Sequence, residues 1–302
     1  MYDIVIIGAG PAGLTAATYS LRAGKTVLVI EKAGFGGQVA FSSKIENFPG
    51  IVSVSGSELA ERLVEQPLEL GAETVFGEVT GIHGTPGSFT VTTEDEEYAC
   101  KAIIIASGAK HRRLNVEGED TFAGNGVSYC AVCDGAFFAS QNVAIVGGGN
   151  SALQEAVLLS DICESVTIIQ NLPFLTGEAR LQEILNERKN VRIITSVTVD
   201  RLFGGEALKG AVIRHAETGE TETVSCTGLF VAIGLEPQNA AFADVVALDE
   251  QGYIIAGEDC RTSADGICAA GDCRTKSVRQ ITTAAADGAV ASVAVCRTID
   301  AL

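Results

Sequence analysis

Two stretches of the chain align with each other without a gap, and this internal repeat restricts the fold more than any other feature. Residues 143–171 match residues 4–32 at a constant offset of 139 (143 minus 4). Each stretch runs from a β-branched apolar segment through closely spaced glycines into a helical pattern, and it ends in a second apolar segment. This order is typical of a dinucleotide-binding βαβ unit. The repeat therefore predicts two such folds in one chain.

The first repeat carries a complete dinucleotide fingerprint. Its glycine turn, Gly8-Ala9-Gly10-Pro11-Ala12-Gly13, reads G-x-G-x-x-G and lies between an apolar strand at 3–8 and a helical pattern that runs to Leu21. Glu31 ends the second strand, 23 residues after Gly8 (31 minus 8). Glycines let the backbone approach a pyrophosphate at the helix N-terminus, and the acid can accept hydrogen bonds from ribose hydroxyls. We expect a dinucleotide ligand here.

The second repeat keeps the glycines but lacks the acid. The matching positions are Gly147 with Gly8, Gly149 with Gly10, and Ala152 with Gly13. Gln170 takes the position of Glu31, and the next basic residue is Arg180. An NAD site favours a carboxylate at this position, and an NADP site favours arginines just beyond it. Because a neutral Gln can still bond a ribose hydroxyl, the pattern weakens NADH binding without excluding it.

Cys130 and Cys133 stand at C-x-x-C spacing and are directly followed by Asp134. The spacing suits a disulfide that opens and closes, and it also suits half of a zinc site. A zinc site needs a second ligand pair, but the other seven of the nine cysteines form no second C-x-x-C and the three histidines lie far away in sequence. Helix-permissive residues 135–138 follow, so we expect the pair at a helix N-terminus, where the dipole favours a thiolate. A redox disulfide is the preferred interpretation.

The charge balance limits the partners. The formal net charge is −17, which disfavours binding to nucleic acid and to anionic membranes. No apolar run is long enough for a membrane span, and the first strand begins at Tyr2 without a charged leader, so a cytoplasmic location is expected. The dense basic cluster at 110–113 (Lys-His-Arg-Arg) is interpreted as a solvated loop, with docking of an acidic partner as the alternative.

The remaining segments complete an α/β fold. Helical patterns cover Glu58–Leu70 and the Ala-rich stretch from Arg279 to Val295. Short strand patterns fill 75–107, 191–232 and 265–272. The predicted fold class is therefore α/β with two Rossmann-like domains of the three-layer ββα type, the second inserted into the first.

These motifs, in this order, resemble the low-molecular-weight thioredoxin reductases, a branch of the FAD-dependent pyridine nucleotide-disulfide reductases. The resemblance covers nearly the whole chain. It rests on several motifs besides the first glycine turn and Glu31, namely Gly36-Gly37-Gln38, Glu46-Asn47-Phe48-Pro49-Gly50, the C-A-x-C-D-G run at 130–135, Ala270-Gly271-Asp272 and Arg279-Gln280.

The resemblance implies FAD as the cofactor, a discontinuous FAD-binding domain at 1–113 and 239–302, and a pyridine-nucleotide-type domain with the redox cysteines at 114–238. It also implies a homodimer, and a rotation of the small domain about segments near Arg113 and Gly234–Pro237. The residues expected to contact FAD are Gly8, Gly10, Pro11, Ala12, Gly13, Glu31, Lys32, Gly37, Gln38, Asn47, Ser107, Gly108, Gly271, Asp272, Arg279, Gln280 and Ile281. No metal is expected.

For the chemistry, the resemblance implies that reduced FAD passes two electrons to the Cys130–Cys133 disulfide. Cys133 is then the sulfur next to the flavin, and Cys130 attacks the disulfide of a thioredoxin-like protein, after which Cys133 resolves the mixed disulfide. Asp134 is placed to give and take the proton that this exchange requires. A helix cap is the other interpretation of Asp134, and the two roles are compatible.

The electron donor is where the chain departs from the family. Members that use NADPH carry an H-R-R-x-x-F-R-like block after the second strand of the nucleotide domain, whereas residues 170–175 here read Gln-Asn-Leu-Pro-Phe-Leu. NADPH is therefore not the expected donor. Ferredoxin or another donor that is not a pyridine nucleotide is expected, and NADH remains possible. Since ferredoxins are acidic, as this chain is, such a donor would need a local basic patch, for which Lys110, Arg112 and Arg113 are candidates.

Two other functions are consistent with the motifs. A dithiol oxidase would form disulfides and pass electrons from FAD to oxygen, but the retained Asp134 and the complete second glycine turn argue against it. A flavin-holding redox sensor without turnover would account for the lost nucleotide selectivity, but it has no need of a proton relay. A reductase of thioredoxin-like proteins is the preferred function.

Overall fold

The computed structural model describes residues 1–42 and 44–302 and divides into two compact units. The first unit comprises Met1–Lys110 and Glu236–Leu302, and the second, His111–Leu235, is inserted into it along the chain. Both units are built of parallel and mixed sheets with helices. The predicted α/β class with two Rossmann-like folds is confirmed.

Seventeen strands form the sheets of the described chain. In order they are β1 (Tyr2–Ile7), β2 (Val27–Glu31), β3 (Glu73–Phe76), β4 (Val79–Thr85), β5 (Ser88–Thr93), β6 (Glu97–Ile105), β7 (Ala109–His111), β8 (Val127–Ser128), β9 (Asn142–Val146), β10 (Ser165–Ile169), β11 (Val191–Ile194), β12 (Val197–Gly204), β13 (Leu208–His215), β14 (Thr221–Ser225), β15 (Gly228–Val231), β16 (Leu235–Pro237) and β17 (Ile267–Ala269).

The α-helices are α1 (Pro11–Arg22), α2 (Gly56–Glu69), α3 (Glu119–Phe122), α4 (Ala131–Asp134), α5 (Asn150–Ile162), α6 (Ala179–Glu187) and α7 (Ile281–Asp300). Three short 3₁₀ helices cover Gly37–Phe41, Gly135–Phe138 and Ala240–Phe242. No helix among the described residues is long and apolar enough to cross a membrane.

The two units share a sheet plan, which extends the repeat seen in the sequence. In the first unit β3, β2, β1 and β6 run parallel, β17 joins β6, and β4 and β5 continue from β6 as an antiparallel meander. In the second unit β11, β10, β9, β15 and β8 are parallel, and β12–β14 form a separate antiparallel sheet. β7 pairs with β16 as a two-stranded ladder.

The sheet of the first unit is buried on both faces. Ile4 and Ile6 of β1 contribute to the apolar cluster shared with α1 and α7, whereas Val5 and Ile7 point into the cluster on the opposite face. Successive residues of a strand point to opposite faces of the sheet. A strand can therefore be apolar at every position only where both faces of its sheet are covered, which explains the uninterrupted apolar run in the sequence. The second unit repeats this arrangement at Val143–Val146 of β9.

Each glycine turn joins the end of a strand to a helix in a backbone conformation that L-residues avoid. Gly8 has φ +105° and Gly147 has φ +133°, so a side chain at either position would be strained. A Cβ at Gly8 would also clash with the carbonyl of Ala106, and a Cβ at Gly147 with the carbonyl of Ala232. The same constraint at matching positions explains why both repeats retain a glycine there.

Candidate active site

The N-terminus of α1 in the first unit is open and uncapped. Gly10 is the N-cap residue, with no side-chain cap, and no described atom lies within 4 Å of the point that a Cβ would occupy. The loop at Gly36 and Gly37 lies alongside, since the Gly36 N–H donates to the Ala9 carbonyl at 2.8 Å and a Cβ on Gly37 would come within 3.2 Å of the Gly10 Cα. Free N–H groups and open space at a helix N-terminus suit a pyrophosphate.

Glu31 ends β2 beside this turn and holds it by hydrogen bonds. Its Oε2 accepts the Ala9 N–H at 2.7 Å, while Oε1 accepts the N–H groups of Ala33 at 2.8 Å and Gly34 at 3.3 Å. A carboxylate can accept about four hydrogen bonds. These three contacts leave capacity for a ribose hydroxyl, so the Glu31 side chain can hold the turn and bind a ligand at the same time.

Asp272 supplies the clearest sign of a missing hydrogen-bond donor in the first unit. Its Oδ1 is buried and has no hydrogen-bond partner among the described residues. Burial raises the pKa of Asp272, against the opposing charges of Lys276 and Arg279. Leaving a buried polar atom unpaired is costly, so the ribitol hydroxyl of a flavin dinucleotide fits this position. The neighbouring Gly271, at φ +83°, would bring a Cβ to 2.9 Å from the Ala12 Cβ of α1.

A buried ion network fixes the turn that carries Asp272. Asp287 of α7 accepts the Gly271 N–H at 2.9 Å and two bonds from the Arg274 guanidinium, each at 2.8 Å. Lys276 Nζ also reaches Asp287, at 2.8 Å. Arg274 is 2 % exposed and Asp287 is 6 % exposed. The network therefore anchors the backbone of Gly271 to helix α7.

Several of the expected cofactor residues have structural partners as well. Gln280 is the N-cap of α7 in a capping box with Thr283, and its Oε1 accepts a bond from Asn47 at 3.2 Å. Arg279 lies over the ring of Tyr253, 4.2 Å from its centroid. Pro11 begins α1, in which Ala12 and Gly13 lie buried, and Ile281 begins α7. Lys32 pairs with Glu78, and Gln38 is exposed. Gly108 has φ +68°, and a Cβ at this position would meet no neighbouring atom within 4 Å.

Asn239 is a buried residue that the sequence analysis did not single out. It accepts a hydrogen bond from the Ser107 hydroxyl at 2.8 Å and donates to the carbonyls of Gly252 and Cys273 at 2.8 Å each. Ser107 thus joins the segment after β6 to the region that precedes Asp272. No sequence pattern marks this contact, because its partners are separated by long stretches of chain.

The redox pair lies in the second unit as a closed disulfide. Cys130 and Cys133 are bonded, with their Cα atoms 5.3 Å apart. Cys130 is the N-cap of α4, and its Sγ accepts the Cys133 N–H at 3.2 Å. Cys133 and Val132 are exposed, whereas the other seven cysteines are all buried. The structure therefore places one accessible disulfide at the start of a short helix.

Asp134 is held beside the disulfide by Ser128, which the sequence analysis missed. The Ser128 hydroxyl donates to Asp134 Oδ2 at 2.6 Å and accepts the Cys130 N–H at 3.1 Å. Burial raises the pKa of Asp134, and the hydrogen bond from Ser128 opposes that rise. A carboxyl with a raised pKa is closer to neutral pH than an exposed aspartate, which suits proton transfer.

A second acid, Glu155, lies against the same turn. Its Oε2 accepts the Ala131 N–H at 3.3 Å, at the first residue of α4. Burial raises the pKa of Glu155 to about 7, and this hydrogen bond opposes the rise. Glu155 lies on α5, and only the packing of α4 on α5 brings it to the disulfide. A sequence pattern gives no sign of this contact.

Tyr129, directly before Cys130, connects the redox turn to the segment that follows β7. Its hydroxyl donates to Glu119 Oε1 at 2.8 Å, and the same carboxylate accepts the N–H groups of Leu114 at 3.0 Å and Asn115 at 2.8 Å. Arg113, one of the basic cluster at 110–113, pairs with Asp120 at 2.5 Å. Part of the positive charge of that cluster is therefore already paired with acids of this unit.

The second glycine turn is covered by the loop that follows β10. The N–H groups of Thr176 and Gly177 donate to the Gly148 carbonyl at 2.8 and 2.9 Å. Gln170 is 5 % exposed, and its amide nitrogen donates to the Phe174 carbonyl at 3.3 Å while its oxygen accepts the Asn171 N–H at 3.2 Å. The loop thus presents apolar and neutral groups where a 2′-phosphate would need cations.

The described part of the chain contains no cluster of side chains placed to bind a metal ion. Within residues 1–42 and 44–302 no group of three or more His, Cys, Asp or Glu side chains is placed to hold an ion.

Comparison with known proteins places the chain in a family. The family model described as pyridine nucleotide-disulphide oxidoreductase matches residues 2–288. The thioredoxin reductase of Listeria monocytogenes is 40% identical over 292 residues, which are 96% of this chain and 92% of that protein. The thioredoxin reductase of Treponema pallidum is 38% identical over 100% of this chain and 98% of its own.

A solved structure agrees with these relatives. The crystal structure of thioredoxin reductase from Streptococcus pyogenes superposes with a TM-score of 0.96 at 39% identity, covering 100% of this chain and 99% of that one. Thioredoxin reductases of this family are FAD-dependent flavoproteins. The open N-terminus of α1 and the Asp272 Oδ1 atom, which has no hydrogen-bond partner among the described residues, fit that cofactor. The chain belongs to the pyridine nucleotide-disulphide oxidoreductase family, as a flavoprotein of the thioredoxin reductase type.

Proposed function

We propose that the chain reduces the disulfide of a thioredoxin-like protein, with FAD as cofactor and a donor other than NADPH. The observation that carries disulfide reduction is the accessible Cys130–Cys133 disulfide with Asp134 held beside it by Ser128. The relatives named as thioredoxin reductases support the choice of substrate. A buried structural disulfide would need neither the exposure of Cys133 nor a neighbouring acid.

FAD is assigned to a domain made of residues 1–113 and 239–302, and the redox cysteines to the domain at 114–238. The glycine turn at 8–13 would hold the pyrophosphate, Glu31 a ribose hydroxyl and Asp272 the ribitol chain. The remaining expected contacts, from Lys32 to Ile281, all belong to the first unit and are proposed to complete the cofactor site. When bound, FAD supplies the two electrons that open the Cys130–Cys133 disulfide.

The protein's own residues then carry the exchange. Opening the disulfide with two electrons and one proton leaves one thiol and one thiolate. The Cys130 sulfur attacks the partner's disulfide and releases one partner sulfur as a thiolate, and Cys133 then attacks Cys130 in the mixed disulfide. The products are the closed Cys130–Cys133 disulfide and a partner dithiol. Asp134 exchanges the protons that these steps take up and release.

The proposed donor rests on the loop after β10. An NADPH site needs cations for the 2′-phosphate, and the residues from Gln170 to Glu178 contain none. The first cation beyond them, Arg180, is exposed and pairs with Glu183 at 3.4 Å. Ferredoxin or another donor that is not a pyridine nucleotide is therefore proposed, and NADH is the alternative because Gln170 can still contact a ribose.

An anaerobic titration tests the donor. The oxidised holoenzyme is mixed separately with NADPH, NADH and reduced ferredoxin, and the visible absorbance of the flavin is followed. We expect bleaching by ferredoxin and none by micromolar NADPH. Rapid bleaching by micromolar NADPH would contradict the proposed donor and would make the chain an ordinary pyridine-nucleotide reductase.

A turnover assay tests the substrate. Oxidised thioredoxin is supplied with an excess of the working donor, and free thiols are counted with time. Cys133→Ser is expected to abolish turnover, while the matched control Cys226→Ser, at a buried free cysteine, keeps it. Turnover of small dithiols with oxygen uptake, instead of thioredoxin reduction, would point to a dithiol oxidase. A change of flavin state without turnover would point to a sensor.

A further inference from the structure

Glu155 is a half-buried acid at the redox turn that disulfide exchange, as described above, does not use. It is half-buried on α5, the helix that begins at Asn150 after the second glycine turn, and it accepts the N–H of Ala131. Ala131 is bonded directly to Cys130, so the carboxylate lies beside the sulfur-bearing residue. The contact links the redox turn to the helix that supports it.

The redox turn packs closely on α5 around this contact. A Cβ on Gly135, just after α4, would come within 3.2 Å of Leu159 and 3.5 Å of Ile162. The redox turn thus lies directly on α5. Ala131 and Ala156 are buried in one apolar cluster at this contact. A carboxylate held at such a contact is desolvated, and its charge acts on its neighbours through a medium of low dielectric constant.

Few other charges act on this position. The titratable groups of the redox turn itself are Cys130, Cys133 and Asp134. The facing elements β9, β10 and the 3₁₀ helix at 135–138 carry none. On α5 Asp161 is paired with Arg188. On α6 Arg180 and Glu183 pair with each other, and Glu187 is exposed near the end of that helix. Two acids therefore bear on the start of α4: Glu155, which accepts the Ala131 N–H, and Asp134, which is bonded to Ser128.

We propose that Glu155 is a positioning residue that fixes the start of the redox helix and, when ionised, keeps the reduced Cys130 as a thiol. This inference rests on the proposed function, because it gives Cys130 the attacking role. An ionised carboxylate disfavours a second negative charge nearby. The Ala131 N–H, which would otherwise favour a thiolate at the N-cap, is directed to Glu155 instead.

This arrangement gives the exchange a pH dependence near neutrality. Burial raises the pKa of Glu155 to about 7, so its charge changes within the physiological range. Below that pH the acid is neutral and the Cys130 thiol ionises more readily. Above it the negative charge raises the pKa of the thiol. The reactivity of Cys130 therefore follows the titration of its own thiol coupled to those of Glu155 and Asp134.

The test is the alkylation rate of Cys130 as a function of pH. The holoenzyme is reduced anaerobically with excess dithiothreitol, desalted and treated with iodoacetamide between pH 5 and 10, and the modified peptide is quantified by mass spectrometry. In the wild type we expect two inflections, one near pH 7. Glu155→Gln keeps an acceptor for Ala131 but removes the charge, so we expect the inflection near pH 7 to disappear and the thiol pKa to fall by about one unit.

The controls separate charge from structure and from the proposed function. Glu164→Gln, at an exposed position in the same unit, should retain both inflections. A wild-type profile without an inflection near pH 7 overturns the proposal even if Glu155→Gln does not fold, and so do superimposable wild-type and Glu155→Gln profiles. Because alkylation needs neither thioredoxin nor a natural donor, the result stands apart from the turnover assay, which alone decides the substrate.

Discussion

The hydroxyl of Ser128 donates to Asp134 at 2.6 Å while it accepts the N–H of Cys130 at 3.1 Å. One side chain thus ties the acid of the redox site to the backbone of the first cysteine. The serine is 5 % exposed, so the two bonds form in a largely dry environment. Ser128 therefore acts both on the pKa of the Asp134 carboxyl and on the position of the Cys130 backbone.

Removing this hydroxyl should shift the pH profile of turnover. Burial raises the pKa of Asp134 and the bond from Ser128 opposes the rise, so Ser128→Ala should raise that pKa further. We expect the inflection of kcat/KM assigned to Asp134 to move to higher pH by about 0.5 to 1 unit. Asp134→Asn should lower the rate by about 100-fold. Ser225→Ala, at an exposed position of β14, is the control, and equal profiles for Ser128→Ala and Ser225→Ala would contradict the argument.

Two arginines in the loop after β10 should create NADPH use. Asn171 and Leu172 are exposed, so N171R with L172R adds cations without disturbing the core. Charge-assisted bonds to the 2′-phosphate should raise the rate of flavin reduction at fixed, subsaturating NADPH by about 10-fold. The charge-reversed pair N171E with L172E is the matched control. A similar gain with NADH, which lacks the 2′-phosphate, would show that the phosphate is not what the arginines recognise.

Loss of the Asp272 carboxylate should weaken FAD binding. Its Oδ1 is buried without a partner among the described residues, and a hydrogen bond to a charged group contributes about 1.5–3 kcal/mol. Asp272→Ala should therefore raise the Kd for FAD by about 10- to 100-fold, measured by fluorescence titration of the flavin-depleted protein. Asp265→Ala, at an exposed residue, should bind normally. An unchanged affinity in Asp272→Ala would remove this residue from the cofactor site.

The Arg274–Asp287 pair should make stability sensitive to acid. Burial pushes the pKa of Asp287 upward, but hydrogen bonds from Arg274 and Lys276 outweigh it and hold the pKa below its ordinary value. A lowered folded-state pKa gives stability that is full above about pH 4, the unfolded value, and is lost as pH falls through the folded value. Asp287→Asn should cost about 3 kcal/mol at pH 7, because it leaves the buried Arg274 with only the longer ion pair to Glu258 at 3.7 Å.

Urea denaturation at a series of pH values measures this effect. As the pH falls below about 4, the wild type should lose stability more steeply than Asp287→Asn, since the variant has no carboxylate to protonate at this position. Asp244→Asn, at an exposed residue, should behave as the wild type does. Parallel curves for the wild type and Asp287→Asn would show that the pair does not contribute to the acid transition.

The sequence alone predicted the parts of the fold that depend on neighbours along the chain. The strand, glycine turn and helix of each repeat lie where the pattern of residues 4–32 and 143–171 predicts them. Gly8 and Gly147 could be recognised because a positive φ and a close carbonyl leave no alternative to glycine there. The redox pair could be recognised because C-x-x-C spacing allows the two sulfurs to bond, as they do in the structure, and the sequence offers no second ligand pair for a zinc ion.

Only the tertiary structure decided which side chains surround these motifs. Ser128 reaches Asp134 across the redox turn, Glu155 reaches Ala131 from another helix, and Asp287 holds Gly271 from α7. These contacts carry no signal in the sequence, because Ser, Glu and Asp are common residues and the partners' spacing has no helical or strand period. Spacing along the chain fixes local backbone geometry, whereas desolvation and hydrogen bonding at a site depend on which elements pack together.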